Sequence, residues 1–415
     1  ETFDNVFTDL PRYDDNGEEF IYKVVEHVPE GYQEANNGEA TVRYVYANTT
    51  LKVTFTNTRL GVLDIKKVVE NTDTTKAFGF TVTLTDKDGK ALTGSVSARR
   101  FTTDDSKYTA ETPTIGEEGK LSVSIAPGET LRLIGLPLGA KWKVTEASGN
   151  YAVKAAVDST EKALDLVSGT VSSTTNPSVV FTNTPQAATL ELNVTKQITG
   201  KTDNNETFTF VLSGKDGAPM PDESTVTING AGNKNFAPIT FTSVGTHVYE
   251  VTEVKGNAPG YTYDDSTYTV TVVVTDQNGQ LTATKMVKKG DTEVQALTFT
   301  NTYTAKGSLT LTAKKTVNGE TPRDDQTFDF ELKNGADTPA VSQTKQNDGG
   351  KVTFDAIRYT LADVGKTYTY TVRETTPDSA DMKTDKTVYT VTVTNIADRG
   401  DGQLSASVIY NDGTK

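Results

Sequence analysis

VTFTNT at Val53–Thr58, VVFTNT at Val179–Thr184 and LTFTNT at Leu297–Thr302 are three copies of one hexapeptide, 126 and 118 residues apart. A spacing of that size is the length of a domain, so the chain reads as an array of like modules. In each copy Phe and Asn sit two apart, and on a strand they face the same side. An Asn beside a Phe on an inward face must have its amide satisfied there. Its recurrence in one parity suggests that the amide has a job.

The composition of the whole chain bounds the reading. Its 415 residues are enough for three or four domains. Only 35% of residues are hydrophobic, and Thr is abundant, which favours half-buried antiparallel strands over packed helices. The net charge of −14 argues against nucleic acid or an anionic membrane as partner. There is no cysteine, which excludes disulfides and thiolate metal sites. No apolar run has membrane-spanning length, so no membrane insertion is expected within these residues. The start, ETFDNVF, reads as mid-domain, and the chain is expected to be a piece of a longer polypeptide.

Strand alternation is clear in Tyr268–Val274 and Tyr389–Val393, and turn signals recur as DDNG at Asp14–Gly17, DKDG at Asp86–Gly89, DQNG at Asp276–Gly279 and NDG at Asn411–Gly413. No amphipathic helix of three turns is evident. An all-β array of sandwich modules follows. Each full module opens with an apolar strand carrying one Lys, through Leu63-Ile65-Lys67-Val69, Leu192-Val194-Lys196-Ile198 and Leu311-Ala313-Lys315-Val317. A Phe-x-Phe strand follows at Phe78/Phe80, Phe208/Phe210 and Phe328/Phe330. Next comes an aromatic-x-Val-x-Glu strand: Trp142-Val144-Glu146, Tyr249-Val251-Glu253, Tyr370-Val372-Glu374 and, as a fourth copy, Tyr22-Val24-Glu26. The FTNT strand closes the module. The boundaries are then 1–58 (Lys strand missing), 59–185, 186–303 and 304–415 (last strand missing).

Lys, Glu and Asn, one each per module, thus share inward faces. Burial shifts an ammonium and a carboxyl toward their neutral forms. A neutral Lys is a nucleophile, a neutral Glu can donate a hydrogen bond and carry protons, and an Asn carboxamide is an electrophile with ammonia as leaving group. Together they suffice for one acyl transfer giving a Lys–Asn isopeptide bond, with the fold supplying proximity. The alternative is a Lys–Glu ion pair with Asn bonded to backbone. For one module that plainer reading is preferred; recurrence in phase shifts the balance toward the bond.

The LxVxK, YxVxE and FTNT strands resemble the Cna protein B-type and pilin isopeptide-linkage domains of Gram-positive surface proteins. Residues 186–303 are similar to streptococcal backbone-pilin domains through FAPITFTSVGTHVYEVTEVKG and PGYTYDDSTYTVTVVVTD. Residues 1–58 resemble the second half of a B-repeat through LPRYDDNGEEFIYKVVEHVPEGY. The resemblance implies Ig-like (Cna-B type) sandwiches, cross-links Lys67–Asn183 and Lys196–Asn301, and assisting roles for Glu26, Glu146, Glu253 and Glu374. Asn57 and Lys315 are left unpaired within the chain. It also implies a rigid stalk or pilus shaft on a bacterial surface, outside the cell and anchored to the wall through a region beyond these residues. Its partners would be further domains of the same polypeptide, pilus subunits or a host matrix protein. The rival readings are an adhesin whose modules bind host matrix directly and an accessory region of a large extracellular enzyme.

Other motifs have plainer readings. Arg399-Gly400-Asp401 is an RGD tripeptide at an expected hairpin tip, where it serves either a receptor or the turn itself. Asp14/Asp15 and Asp86/Asp88 lack the spaced ligands of a calcium loop, and His27 and His247 fall in different modules; neither a metal nor a cofactor is expected. No enzymatic turnover is expected. Trp142 is expected in the core beside Glu146.

Overall fold

The computed structural model describes residues 9–28, 31–34, 39–43, 55–201, 205–335 and 340–411. These residues form strands and turns, with two single-turn 3-10 segments at Leu164–Leu166 and Leu361–Asp363. The strands form where the side chains alternate. In Phe78–Thr85, for example, Phe78, Phe80, Val82 and Leu84 are buried while their neighbours are not. Each such Val, Leu or Phe contributes about 1.5–3 kcal/mol of hydrophobic stabilisation.

The chain divides into two compact units, one of Glu1–Thr189 with Phe241–Thr246 and Val273–Thr284, the other of Leu190–Thr240, His247–Val272 and Lys285–Lys415. In the first unit, residues 59–185 make two sheets. One is ordered Lys120–Ile125, Phe78–Thr85, Lys141–Ala147, Ser168–Thr170. In the other, seven strands include Ala152–Val157, Ser178–Thr184, Gly61–Val69 and Thr130–Leu136 side by side. Leu63, Ile65, Val82, Leu133, Val144 and Phe181 fill the space between. The Lys strand, Gly61–Val69, and the Asn strand, Ser178–Thr184, are neighbours and run parallel, with Phe181 opposite Lys67. Parallel neighbours need a long crossover, and here the rest of the module is that crossover. Among residues 9–58, Ile21–Val25 pairs with Glu39–Arg43 and Tyr32–Glu34 with Asn57–Arg59. Val53 and Thr54 of the first hexapeptide lie outside the described residues, as does the start ETFDNVF.

The second unit repeats the plan. Asn193–Thr199 lies between Gly232–Asn235 and Leu297–Tyr303, and it runs parallel to the latter with Lys196 opposite Phe299. In residues 304–415 a five-stranded sheet is ordered Ser342–Gln346, Asp329–Asn334, Tyr368–Glu374, Val388–Asp398, Leu404–Asn411. Leu311, Phe328, Leu332 and Tyr370 are among its core.

The opening strand of residues 304–415 departs from expectation. Regular pairing covers only Thr312–Lys314, against Lys351–Thr353. Lys315 lies beyond its end, and Val317 belongs to a separate tight turn to Glu320, because Asn318 and Gly319 both take positive φ, at 52° and 86°. The Asp-rich motifs act as turn-holders. One Asp14 carboxylate oxygen accepts the N–H groups of Asn16 and Glu18 at 2.9 and 2.8 Å, and Asp86 does the same for Asp88 and Lys90, both at 2.9 Å. Of the expected NDG turn, Asn411 ends its strand and Asp412 and Gly413 lie outside the described residues.

Candidate functional site

The parallel register fixes where the inward side chains meet. Asn183 and Asn301 each stand two residues past the Phe that faces the Lys, on the same face of the sheet. The opposite sheet supplies the Glu at an equally constant place. Glu146, Glu253 and Glu374 pair with Phe80, Phe210 and Phe330, always the second Phe of the Phe-x-Phe strand. The first Phe has its own position. The ammonium of Lys67 lies 4.4 Å from the ring centroid of Phe78, that of Lys196 4.7 Å from Phe208, and that of Lys315 4.1 Å from Phe328. A ring face is one of the few apolar surfaces that attracts a desolvated cation, so it holds the amine in place.

In residues 186–303 the three groups are fully enclosed. Lys196 Nζ is 2.8 Å from Glu253 Oε2, and both side chains are 0% exposed. Asn301 Nδ2 donates to Glu253 Oε1 at 2.7 Å. The amide N–H of Asp264 donates to Asn301 Oδ1 at 2.8 Å. One carboxyl group therefore bridges the amine and the carboxamide, and a backbone N–H holds the carboxamide oxygen. Burial lowers the Lys196 amine from its ordinary value, against the opposing pull of Glu253. Burial likewise raises the Glu253 carboxyl, against its bonds to Lys196 and Asn301. Both shifts favour moving the proton from amine to carboxyl, because a buried ion pair must recover two desolvation penalties.

Residues 59–185 carry the same set. Lys67 Nζ is 2.9 Å from Glu146 Oε1, with side chains 0% and 2% exposed, and Asn183 Nδ2 donates to that same oxygen at 2.8 Å. Burial is again the main cause that lowers the Lys67 amine. Among the described residues, Glu146 Oε2 and Asn183 Oδ1 are buried with no hydrogen-bond partner. Such atoms are costly in a core. Trp142 is buried on the Glu strand, as its residue type suggests.

The end segments hold partial sets. In residues 304–415, Lys315 Nζ is 2.8 Å from Glu374 Oε2, and Glu374 Oε1 is buried with no hydrogen-bond partner among the described residues. In residues 1–58, Asn57 Nδ2 donates to Glu26 Oε1 at 2.5 Å, while Glu26 Oε2 and Asn57 Oδ1 are buried with no hydrogen-bond partner among the described residues. The structure thus brings Lys67, Glu146 and Asn183 together, and Lys196, Glu253 and Asn301; it pairs Lys315 with Glu374 and Asn57 with Glu26. Arg399, Gly400 and Asp401 do form a hairpin tip, but Arg399 pairs with Asp401 at 3.3 Å. Sequence reasoning missed Asp264 and the first Phe of each Phe-x-Phe strand. The recurrence of that Phe was the available signal for the latter.

Residues 192–304 and 311–415 match the Spy0128-like isopeptide containing domain, residues 61–185 match a domain of unknown function (DUF7601), and residues 1–58 match the Cna protein B-type domain. Among solved structures, a pilus-presented adhesin, Spy0125 (Cpa), is 30% identical over 30% of this chain and 26% of its own length, with a TM-score of 0.25. The major pilin from Streptococcus pyogenes is 19% identical over 53% of this chain and 97% of its own, with a TM-score of 0.28. The chain thus spans about a quarter of that adhesin. A comparison with curated proteins finds no match. The two isopeptide-domain matches together cover more than half of the chain, and the chain belongs to the family of Spy0128-like isopeptide containing domains.

Proposed function

We propose that the chain is part of the shaft of a pilus or stalk on a Gram-positive surface, and that buried Lys–Asn isopeptide bonds make it rigid. The observation that carries this reading is the repeated bridge: one buried Glu contacts both a Lys amine and an Asn carboxamide, in the same register, in two successive modules. An ion pair needs no Asn there. An acyl transfer needs all three groups.

The chemistry follows from the contacts. Glu253 takes a proton from the Lys196 ammonium, to which it is bonded. The free amine attacks Cγ of Asn301, whose oxygen is held by the Asp264 N–H. The protonated Glu253 then returns its proton to the departing nitrogen through the contact it already makes with Nδ2. The Cγ–Nζ bond forms, a second Nζ proton passes through the same carboxylate to the departing nitrogen, the Cγ–Nδ2 bond breaks, and ammonium leaves, with Glu253 returned to its starting state. Each module reacts once, so the chain is a self-modifying substrate and not a turnover enzyme. The same roles fall to Lys67, Glu146 and Asn183. Family membership supports a place outside the cell beside other pilus subunits.

Intact-mass spectrometry tests the reading. Two complete triads predict a mass two ammonias below that of the sequence. The full sequence mass would remove the proposal.

A further inference from the structure

The hairpin turns at Asp276–Gly279 and Asp398–Gln403 are not used by the chemistry above, yet each is built against the module before it in the same way. Both turns join the two long strands that follow the Glu strand, Thr267–Gln277 to Gln280–Lys289 and Val388–Asp398 to Leu404–Asn411. At the first, within the first unit, Tyr151 donates its hydroxyl to Asp276 Oδ2, and Thr72 Oγ1 donates to the same oxygen at 2.9 Å. The carbonyl of Gly279 accepts the N–H of Gln186, in the connector, at 2.8 Å. At the second, within the second unit, Tyr303 donates its hydroxyl to Asp398 Oδ1 at 2.8 Å and accepts the N–H of Gly402 at 3.1 Å. The carbonyl of Gly402 accepts the N–H of Lys306, which opens the strand Lys306–Leu309 of the same module, at 3.0 Å. Gln186 forms a parallel bridge with Gln280, and Lys306 forms one with Gln403.

The close approach explains the glycines. Gly402 has φ +79°, and a Cβ there would lie 2.8 Å from Gly260 Cα. Gly279 has φ +93°, and a Cβ there would lie 2.4 Å from the Tyr151 nitrogen. Neither turn could carry a side chain at that position and keep its seat.

We infer that this hairpin turn is a docking tooth, a second device beside the cross-link, which clamps a module to its predecessor through a Tyr–Asp hydrogen bond and a backbone bond to the first residues of its own module. The partner it fits is a tyrosine hydroxyl on the preceding module, beside the first residues of the turn's own module. Two turns make the same two hydrogen bonds, Tyr to Asp and backbone N–H to Gly carbonyl, although the tyrosines come from different places: Tyr151 follows the Glu strand, and Tyr303 ends the Asn strand. The clamp therefore belongs to the turn and is not a by-product of one tyrosine's position. It also accounts for the RGD tripeptide. Arg399, Gly400 and Asp401 form the body of the second tooth, with Asp398 accepting the Gly400 N–H at 2.9 Å and Asp401 accepting the Gln403 N–H at 3.1 Å. The inference does not rest on the isopeptide bonds.

The test uses the whole chain with Tyr303→Phe and, separately, Asp398→Ala. The first removes only a hydroxyl and the second only the carboxylate that receives it, so both variants should fold and lose as much ammonia as the native chain. Hydrogen exchange at the Lys306 and Gly402 amides should quicken about tenfold in Tyr303→Phe, while the amides of the five-stranded sheet stay as they were. The chain has no cysteine, so spin labels at Lys255→Cys and Asp381→Cys report one distance cleanly. The distribution should be narrow in the otherwise native chain and at least about twice as wide in both variants. Unchanged exchange at both amides would overturn the inference. So would a native distribution as broad as that of the variants.

Discussion

Replacing Asn301 by Ala separates the cross-link from a mere ion pair by its magnitude. Asn301 donates to Glu253 at 2.7 Å and accepts the Asp264 N–H at 2.8 Å. If no covalent bond exists, the substitution weakens a charged hydrogen bond and strands a half-buried N–H, a cost of about 2–5 kcal/mol. If the bond exists, the loop between Lys196 and Asn301, about 105 residues, is also opened. Loop-closure entropy for that length adds about 5 kcal/mol, by the model used for disulfides. The total is then roughly 7–10 kcal/mol. For a module of roughly 118 residues, 1 kcal/mol moves Tm by about 4 °C. Calorimetry should therefore show the endotherm of this module falling by roughly 30 °C or more, against roughly 8–20 °C for the ion pair alone. Intact mass should show one ammonia fewer lost than in the native chain. A fall within the smaller range, with no change in ammonia loss, would refute the covalent reading.

Glu253→Gln should leave the module folded but unlinked, and a digest of that variant should contain no Lys196–Asn301 peptide; its presence would take the proton-carrying role from Glu253. The pH behaviour of the unlinked Asn301→Ala variant follows from two opposed shifts. Lys196 is lowered from 10.5, so just below that value the unfolded state binds the extra proton and stability falls as pH falls; Glu253 is raised from 4.5, so just above that value the folded state binds the extra proton and stability falls as pH rises. The contribution of the pair should therefore be smallest near neutral pH and recover both in acid below about pH 4.5 and in base above about pH 10.5. Urea unfolding of Asn301→Ala across pH, against the same variant with Lys196→Met and Glu253→Gln added, would show a maximum instead of a minimum near neutrality if this is wrong. Single-molecule pulling between residues 59 and 303 should show no domain-sized extension in the native chain and should show such steps in Lys67→Ala and Lys196→Ala.

The fold class was legible because strand alternation is local. Tyr268–Val274 and Tyr389–Val393 lie within the strands Thr267–Gln277 and Val388–Asp398. The candidate triads were legible for a different reason: repetition turned three unremarkable side chains into a pattern. What had no repeat was hidden. Asp264 holds the Asn301 oxygen, but Asn183 Oδ1 has no counterpart partner among the described residues, so no recurrence marked it. The parallel pairing of first and last strands joins residues more than a hundred positions apart, and nothing in local periodicity reports that. The Lys315 strand looked continuous through Val317 because alternation persists there, while Asn318-Gly319 turns the chain away. The docking turns were read correctly as turns, but a turn sequence carries no sign of what lies against it.

The adjacency of first and last strands has one further consequence. With Lys67 joined to Asn183, or Lys196 to Asn301, everything between becomes one arc of a closed ring, and the new bond is the other arc. A protease that cuts a single exposed loop, such as the turn at Asp104–Lys107, would open the ring without releasing either end of the molecule. Between Lys67 and Asn301, only a cut in the short stretch from Asn183 to Lys196, where Gln186 is already hydrogen-bonded, would part the chain. Backbone continuity and mechanical continuity would then be separate properties, and a shaft in a protease-rich setting could lose the first at many sites while keeping the second.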